Sequence, residues 1–193
     1  MFPLGSVLFP HMPLPLRVFE PRYLTMLSDI LRTEPSEFGV VLIERGSEVG
    51  GGDVRVGVGT VAEVADLDTA GDALVMIAQG KHRFEVVEWG DDDPYPRAEV
   101  RPLPELEWAA ELHPLKERAE LLVRRVLKRL EAFTEQRWPY DVGLDDDPVA
   151  AVWQLAAIAP LGPLDQFTLL CSASAETLLT RLVQLVTEVD ETY

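Results

Sequence analysis

Met1-Phe-Pro-Leu-Gly-Ser-Val-Leu-Phe-Pro-His-Met-Pro-Leu-Pro-Leu-Arg-Val-Phe-Glu-Pro-Arg-Tyr23 opens the chain, and its prolines decide how it is read. From Met1 to Leu16 there is no Asp, Glu, Lys or Arg, as in the apolar part of a secretory leader. No basic segment precedes it, however, and Pro3, Pro10, Pro13 and Pro15 prevent it from forming a helix. Proline has no N–H to give a β-ladder, so the stretch predicts edge strands and turns whose apolar residues line a core.

Working outward, Pro21 to Arg32 predicts a helix with Tyr23, Leu24, Leu27, Ile30 and Leu31 on one side. Val40 to Ile43 is a short apolar strand, followed by a loop over Arg45 to Asp53. Val54, Val56, Val58, Thr60, Ala62 and Val64 then recur at every second position, the period of a half-buried strand. Asp66 to Asp72 reads as a turn. The apolar run Ala73 to Ala78 predicts a strand buried on both faces, interrupted by Gln79-Gly-Lys81 and resumed over Arg83 to Val87. Asp91 to Pro96 is a loop before a last strand at Ala98 to Arg101. Beyond Pro104 the periodicity becomes helical. Helices are predicted from Pro114 to Thr134, from Pro148 (capped by Asp147) to Ala159, from Pro163 to Cys171, and from Ala175 (capped by Ser174) to Asp190. The expected organisation is α+β, with a β-rich unit over residues 1–104 and a helical unit over residues 105–193.

With 193 residues, 47% hydrophobic and 26% charged, the chain can fill a core. Its 33 acidic against 17 basic side chains give a net charge of −16, which repels phosphate backbones and anionic membrane surfaces. Nucleic acid and membrane are therefore not expected partners. Pro148 to Leu164 is shorter than the ~20 residues of a bilayer span and reads as a buried helix; a cytoplasmic location is expected. The single Cys171 makes no internal disulfide, and its apolar setting predicts burial.

The residues that would carry catalysis are not in the required patterns. Gly80-Lys81 is followed by His82 and lacks the rest of a phosphate-binding loop. Gly57-Val-Gly59-Thr-Val-Ala62 matches a loose dinucleotide fingerprint, but strand alternation runs straight through it. Asp66 to Ile77 lacks the carboxylate that would close a calcium loop, and the Asp91–Asp93 and Asp145–Asp147 triplets read as solvated loops. No nucleophile elbow is present. No catalytic residue, cofactor or metal is predicted. Two alternatives stay open: a hydrolase with a site between the two halves and His82 or His113 as base, and an RNA-binding module using Arg124, Arg125, Lys128 and Arg129. Those four basic residues are expected instead to pair with Glu117, Glu120, Glu131 and Glu135 on adjacent helical turns.

Pro3 to Pro10 and Met12 to Tyr23 strongly resemble the opening of the Lon protease N-terminal, substrate-binding domain. Phe38 to Ile43, Val58 to Val64 and Gln79-Gly-Lys-His-Arg-Phe84 continue the resemblance in the same order. It implies a PUA-like, six-stranded pseudo-barrel followed by a helical bundle. It also implies a non-catalytic module that engages substrate proteins. Neither a Walker motif nor the peptidase's serine segment is present, so the chain is expected to be a stand-alone domain without either activity. The expected partners are exposed apolar segments of unfolded proteins or peptides, with a separate protease or chaperone as collaborator, and the expected state is a monomer or weak dimer. Candidate contacts are Phe9, His11, Met12, Phe19, Tyr23 and Trp89, with core packing as the alternative role of each aromatic residue. Met12, between prolines, is expected to be exposed, and Glu20 and Arg22 to form a structural pair. A peptide could add as a strand at an open sheet edge or place side chains in a groove between barrel and bundle.

Overall fold

The computed structural model describes residues 1–46, 48, 54–71, 73–131, 133 and 137–192. The chain divides into two compact units, Met1–Pro104 and Glu105–Tyr193.

The first unit is a six-stranded sheet with one helix. Its elements are β1 (Phe2–Leu4), β2 (Pro13–Val18), α1 (Pro21–Ile30), β3 (Glu37–Arg45), β4 (Val54–Ala70), β5 (Ala73–Trp89) and β6 (Ala98–Pro102). The order is β1-β3-β4-β5-β2, parallel only between β1 and β3, and β6 pairs with the far half of β5. β2 and β6 thus follow one another along the same flank of β5: β2 covers Leu74 to Gln79 and β6 covers Phe84 to Trp89.

Three expectations are corrected here. The turn predicted from Asp66 is strand as far as Ala70, because a register shift between Val64 and Asp66 lets the β4–β5 hairpin run on to Ala70 opposite Ala73. The run Ala73 to Ala78 is not buried on both faces. Ala73, Met76 and Ala78 face the core, while Val75 and Ile77 are exposed. Nor does Gln79-Gly-Lys81 interrupt it, since β5 is continuous through Gly80. A Cβ at Gly80 would lie 2.2 Å from the Phe9 carbonyl, so the absent side chain is what lets the segment between β1 and β2 cross the strand there. That crossing is held by His11 N–H donating to the Gly80 carbonyl (2.9 Å) and Gly80 N–H to the Met12 carbonyl (2.9 Å).

This anchoring also places Met12, which is 7% exposed and not the surface residue expected from its prolines. The reason is strand alternation: Met12, Leu14 and Val18 point inward while Pro13, Pro15 and Arg17 point outward. The loop predicted from Arg45 to Asp53 lies largely outside the described residues.

In the second unit a single 3-10 turn (Ala110–Leu112) leads into α2 (His113–Leu130), then α3 (Pro148–Ile158), α4 (Pro163–Leu170) and α5 (Ala175–Thr192). Asp147 caps α3 by accepting from the Ala150 N–H at 2.8 Å, and Ser174 accepts from the Thr177 N–H at 3.1 Å at the start of α5. α3 is apolar on nearly every side and lies in the core, and α5 packs against α2, α3 and α4. Thr134 and Glu135, at the predicted end of the first long helix, lie outside the described residues. Cys171 is exposed, contrary to its predicted burial: it follows the last turn of α4, where Leu169 and Leu170 take the inward positions.

Candidate functional site

Three strands of the sheet have one flank without a strand partner among the described residues: β1, bonded to β3, and β2 and β6, both bonded to β5. A cleft of about 190 Å³ opens between β1 and β2, lined by residues of these strands and the start of α1 together with Glu48. Phe2, Leu4, Val18 and Tyr23 are buried in its floor. Phe19 stands at its rim, 56% exposed.

The floor is fixed by aromatic stacking and one arginine. Phe2 and Tyr23 lie face to face, centroids 4.1 Å apart and planes 12° apart. The Arg22 guanidinium sits 4.5 Å from the Tyr23 ring centroid, bonds Glu20 at 3.1 Å as expected, and donates to the Glu48 carbonyl at 3.1 Å. The Glu48 carboxylate accepts from the Gly5 N–H at 2.5 Å. Pro21 in the first turn of α1 starts the helix here, so Tyr23 turns inward one residue after Arg22.

Backbone chemistry limits what the seam can do. Proline cannot donate to the ladder, so Pro13 and Pro15 of β2 and Pro3 of β1 take the positions that face away from their partner strands. Those positions offer carbonyls without N–H groups. At the next outward position after Pro3, the Gly5 N–H is already given to Glu48.

Of the six sequence-predicted contacts, the structure brings Phe19 and Tyr23 to this cleft. Phe9 and Met12 are core residues, 1% and 7% exposed. His11 is exposed at a tight turn with φ of 62°. Trp89 lines a separate open hollow with Glu88, Gly90, Arg97, Ala98 and Glu99. Above its ring, at 5.0 Å, lies the Arg55 guanidinium, which also grips Asp92 at 2.7 and 2.9 Å. Those hydrogen bonds hold the Asp92 carboxyl below its usual range.

Sequence reasoning missed Phe2, Leu4 and Glu48. For Phe2 and Leu4 the signal was present, since they flank Pro3 at a spacing of two on an edge strand. For Glu48, in a polar loop, no signal existed.

The open alternatives land elsewhere. His82 is half-buried on β5, and His113 is exposed, edge-on to Trp108 at 5.2 Å; neither lines the cleft. Among the described residues no group of three or more His, Cys, Asp or Glu could hold a metal ion. The basic cluster on α2 is largely engaged, partly by a residue not foreseen: Arg124 bonds Glu120 at 2.9 Å, whereas Arg125 and Arg129 both bond Asp190 of α5, at 2.5 and 2.7 Å. Lys128 lies 5.1 Å from the Tyr140 ring. No described helix is long and apolar enough to cross a membrane.

Comparison with known proteins agrees with this architecture. A Lon N-terminal domain protein from Xanthomonas campestris superposes with a TM-score of 0.64 at 29% identity, over 96% of this chain and 95% of the other. The N-terminal domain of the Mycobacterium avium complex Lon protease shares the fold with a TM-score of 0.67 at 17% identity, over 96% of this chain and 97% of that one. No curated protein matches the chain. The family model for the ATP-dependent protease La (LON) substrate-binding domain matches residues 1–188, and the chain belongs to that family.

Proposed function

We propose that the chain is a non-catalytic module that recognises exposed apolar segments of unfolded proteins, taking apolar side chains into the cleft between β1 and β2. The observation that carries this reading is Phe19, more than half exposed beside an apolar floor of Phe2, Leu4, Val18 and Tyr23. Covering an aromatic ring and the floor beneath it contributes about 25 cal/mol for each Å² of apolar surface removed from water. A volume of about 190 Å³ suits a side chain better than a drug-sized ligand, whose sites run to roughly 300–1,000 Å³. Strand addition is the weaker route, because prolines have removed donors from both flanks of the seam. A net charge of −16 favours encounter with apolar segments flanked by Lys or Arg. Such a module would serve as an adaptor in the cytoplasm, delivering bound chains to a separate protease or chaperone.

The test is fluorescence anisotropy with a labelled, reduced and carboxymethylated polypeptide, against its folded form as control. Micromolar binding to the unfolded form is expected. Phe19→Ala should weaken it roughly fivefold or more, the effect of about 1 kcal/mol, and Phe19→Trp should preserve it. Equal affinity for the folded control, or an unchanged affinity for Phe19→Ala, overturns the assignment. Turnover of peptide or ester substrates by the purified chain overturns its non-catalytic character.

A further inference from the structure

β6 is the remaining strand with an open flank, and its backbone differs from that of the proline-rich seam. Toward β5, the Gly90 N–H donates to the Arg97 carbonyl at 2.9 Å and the Leu103 N–H to the Arg83 carbonyl at 3.0 Å. Backbone groups alternate in direction along a strand, so Arg97, Glu99, Arg101 and Leu103 turn theirs to β5. Ala98 and Val100 turn both N–H and C=O away from it, and Pro102 its carbonyl. No strand meets these groups among the described residues.

The charges on β6 are arranged about its middle residue, Val100, which is 40% exposed. Glu99 stands opposite Glu88 of β5, and neither is in an ion pair among the described residues. Like charges directly opposite weaken a ladder, so this carboxylate lacks a counter-ion. On the other side of Val100, Arg101 bonds Glu85 at 2.5 Å, yet its side chain is still 70% exposed. Arg97, just before the strand, lies 5.1 Å from the Tyr95 ring.

We infer that β6 is a self-association edge, at which two copies of this chain pair their β6 strands antiparallel about a two-fold axis at Val100. In a two-fold interface the residue on the axis meets its own mate, and residues equally displaced on either side meet each other. Val100 then exchanges both backbone hydrogen bonds with Val100 of the second copy. The Ala98 N–H of each copy meets the Pro102 carbonyl of the other. Glu99 of each copy faces Arg101 of the other at the closely spaced positions between those bonds, and so gains the counter-ion that Glu88 denies it. Arg97 falls opposite Leu103, so every charge on the strand is placed without a like charge facing it. Other registers do worse. An axis at Glu99 or Arg101 sets like charges on the axis itself, as does pairing the strands parallel in register. An axis at Ala98 asks Val100 to bond the Pro96 carbonyl, which already accepts from the Met1 amine at 2.8 Å.

Sedimentation velocity of the full chain from about 5 to 500 µM tests this, the range in which weak dimers populate measurably. A concentration-dependent dimer is expected. Over the same range, amide hydrogen exchange followed by NMR should slow severalfold at Ala98 and Val100 and stay unchanged at Arg17 on the outward flank of β2. Glu99→Arg and Arg101→Glu should each raise the dissociation constant about fivefold or more. Circular dichroism should report an unchanged fold for both, because the two side chains are exposed. Mixed one to one, the two variants should associate again as the parent does, since every charge pair across the axis is then opposite in sign. A monomer at every concentration, a dimer whose Ala98 and Val100 amides exchange as fast as the monomer's, or a mixture no tighter than either variant alone overturns the inference. Protection of those amides by an unfolded polypeptide and not by a second copy would give the edge to a peptide strand, and overturns it as well.

Discussion

The Thr60 hydroxyl donates a 2.6 Å hydrogen bond to the carbonyl of Leu8, buried at both ends. It ties the segment between β1 and β2 to the middle of β4, and so sets where both edges of the seam begin. Thr60→Val keeps the shape and leaves the Leu8 carbonyl buried without that donor, at a cost of about 1–3 kcal/mol. The urea midpoint should fall with little change in slope, and Thr60→Ser should recover most of the loss. A midpoint equal to the parent's in Thr60→Val would show that the bond contributes nothing.

Two glycines in neighbouring strands should respond in opposite ways to the same methyl group. At Gly80 a Cβ would meet the Phe9 carbonyl at 2.2 Å, and backbone cannot move aside cheaply; Gly80→Ala should cost about 1–3 kcal/mol or more. At Gly57 nothing lies within 4 Å, and Gly57→Ala should be neutral or stabilising by up to about 1 kcal/mol through the unfolded chain. Thermal melts of the two variants side by side decide it. Equal melting temperatures would mean that the crossing at Gly80 is looser than described.

Asp92 supplies a pH dependence of known sign. Its carboxyl is held below the ordinary 3.8 by the hydrogen bonds from Arg55, so the folded state binds its proton less readily than the unfolded chain does. That contribution to stability is fully present above the unfolded value and is lost as pH falls through the folded value. Its size is modest, because about half of the Asp92 side chain faces water. Between pH 5 and 2 the denaturation midpoint of Asp92→Asn should fall less steeply than the parent's. Parallel curves would remove the ion pair from the acid limb.

Much of this fold was legible because local rules and the tertiary arrangement agree. The Asp147–Pro148 start of α3, the Ser174 start of α5, and the edge position of the proline-rich opening follow from what those side chains can and cannot bond. Where the reading failed, a non-local partner decided. Met12 looked exposed until β5 fixed its inward side, and Gly80 looked like a break until the Phe9 backbone was found against it. Asp190 could not be assigned to Arg125 and Arg129 without knowing that α5 returns along α2. Cys171 failed for a different reason: an apolar run at a helix end does not say which residue takes the outward position. The cleft was half legible. Phe19 and Tyr23 came from the opening motif, whereas Glu48 joins it only through contacts distant in sequence.

The prolines along the seam have a consequence for the protein's own solubility. A module that meets unfolded polypeptides, as proposed for this chain, works among the molecules most prone to recruit exposed strands into aggregates. Growth of such an aggregate requires an N–H to meet each incoming carbonyl; along this seam Pro3, Pro13 and Pro15 supply none and the Gly5 N–H is committed to Glu48, which leaves Arg17 as the outward position of β2 that keeps a donor. A sticky neighbour can rest against these strands, and its side chains can be held, while the seam offers it few donors with which to lengthen the sheet.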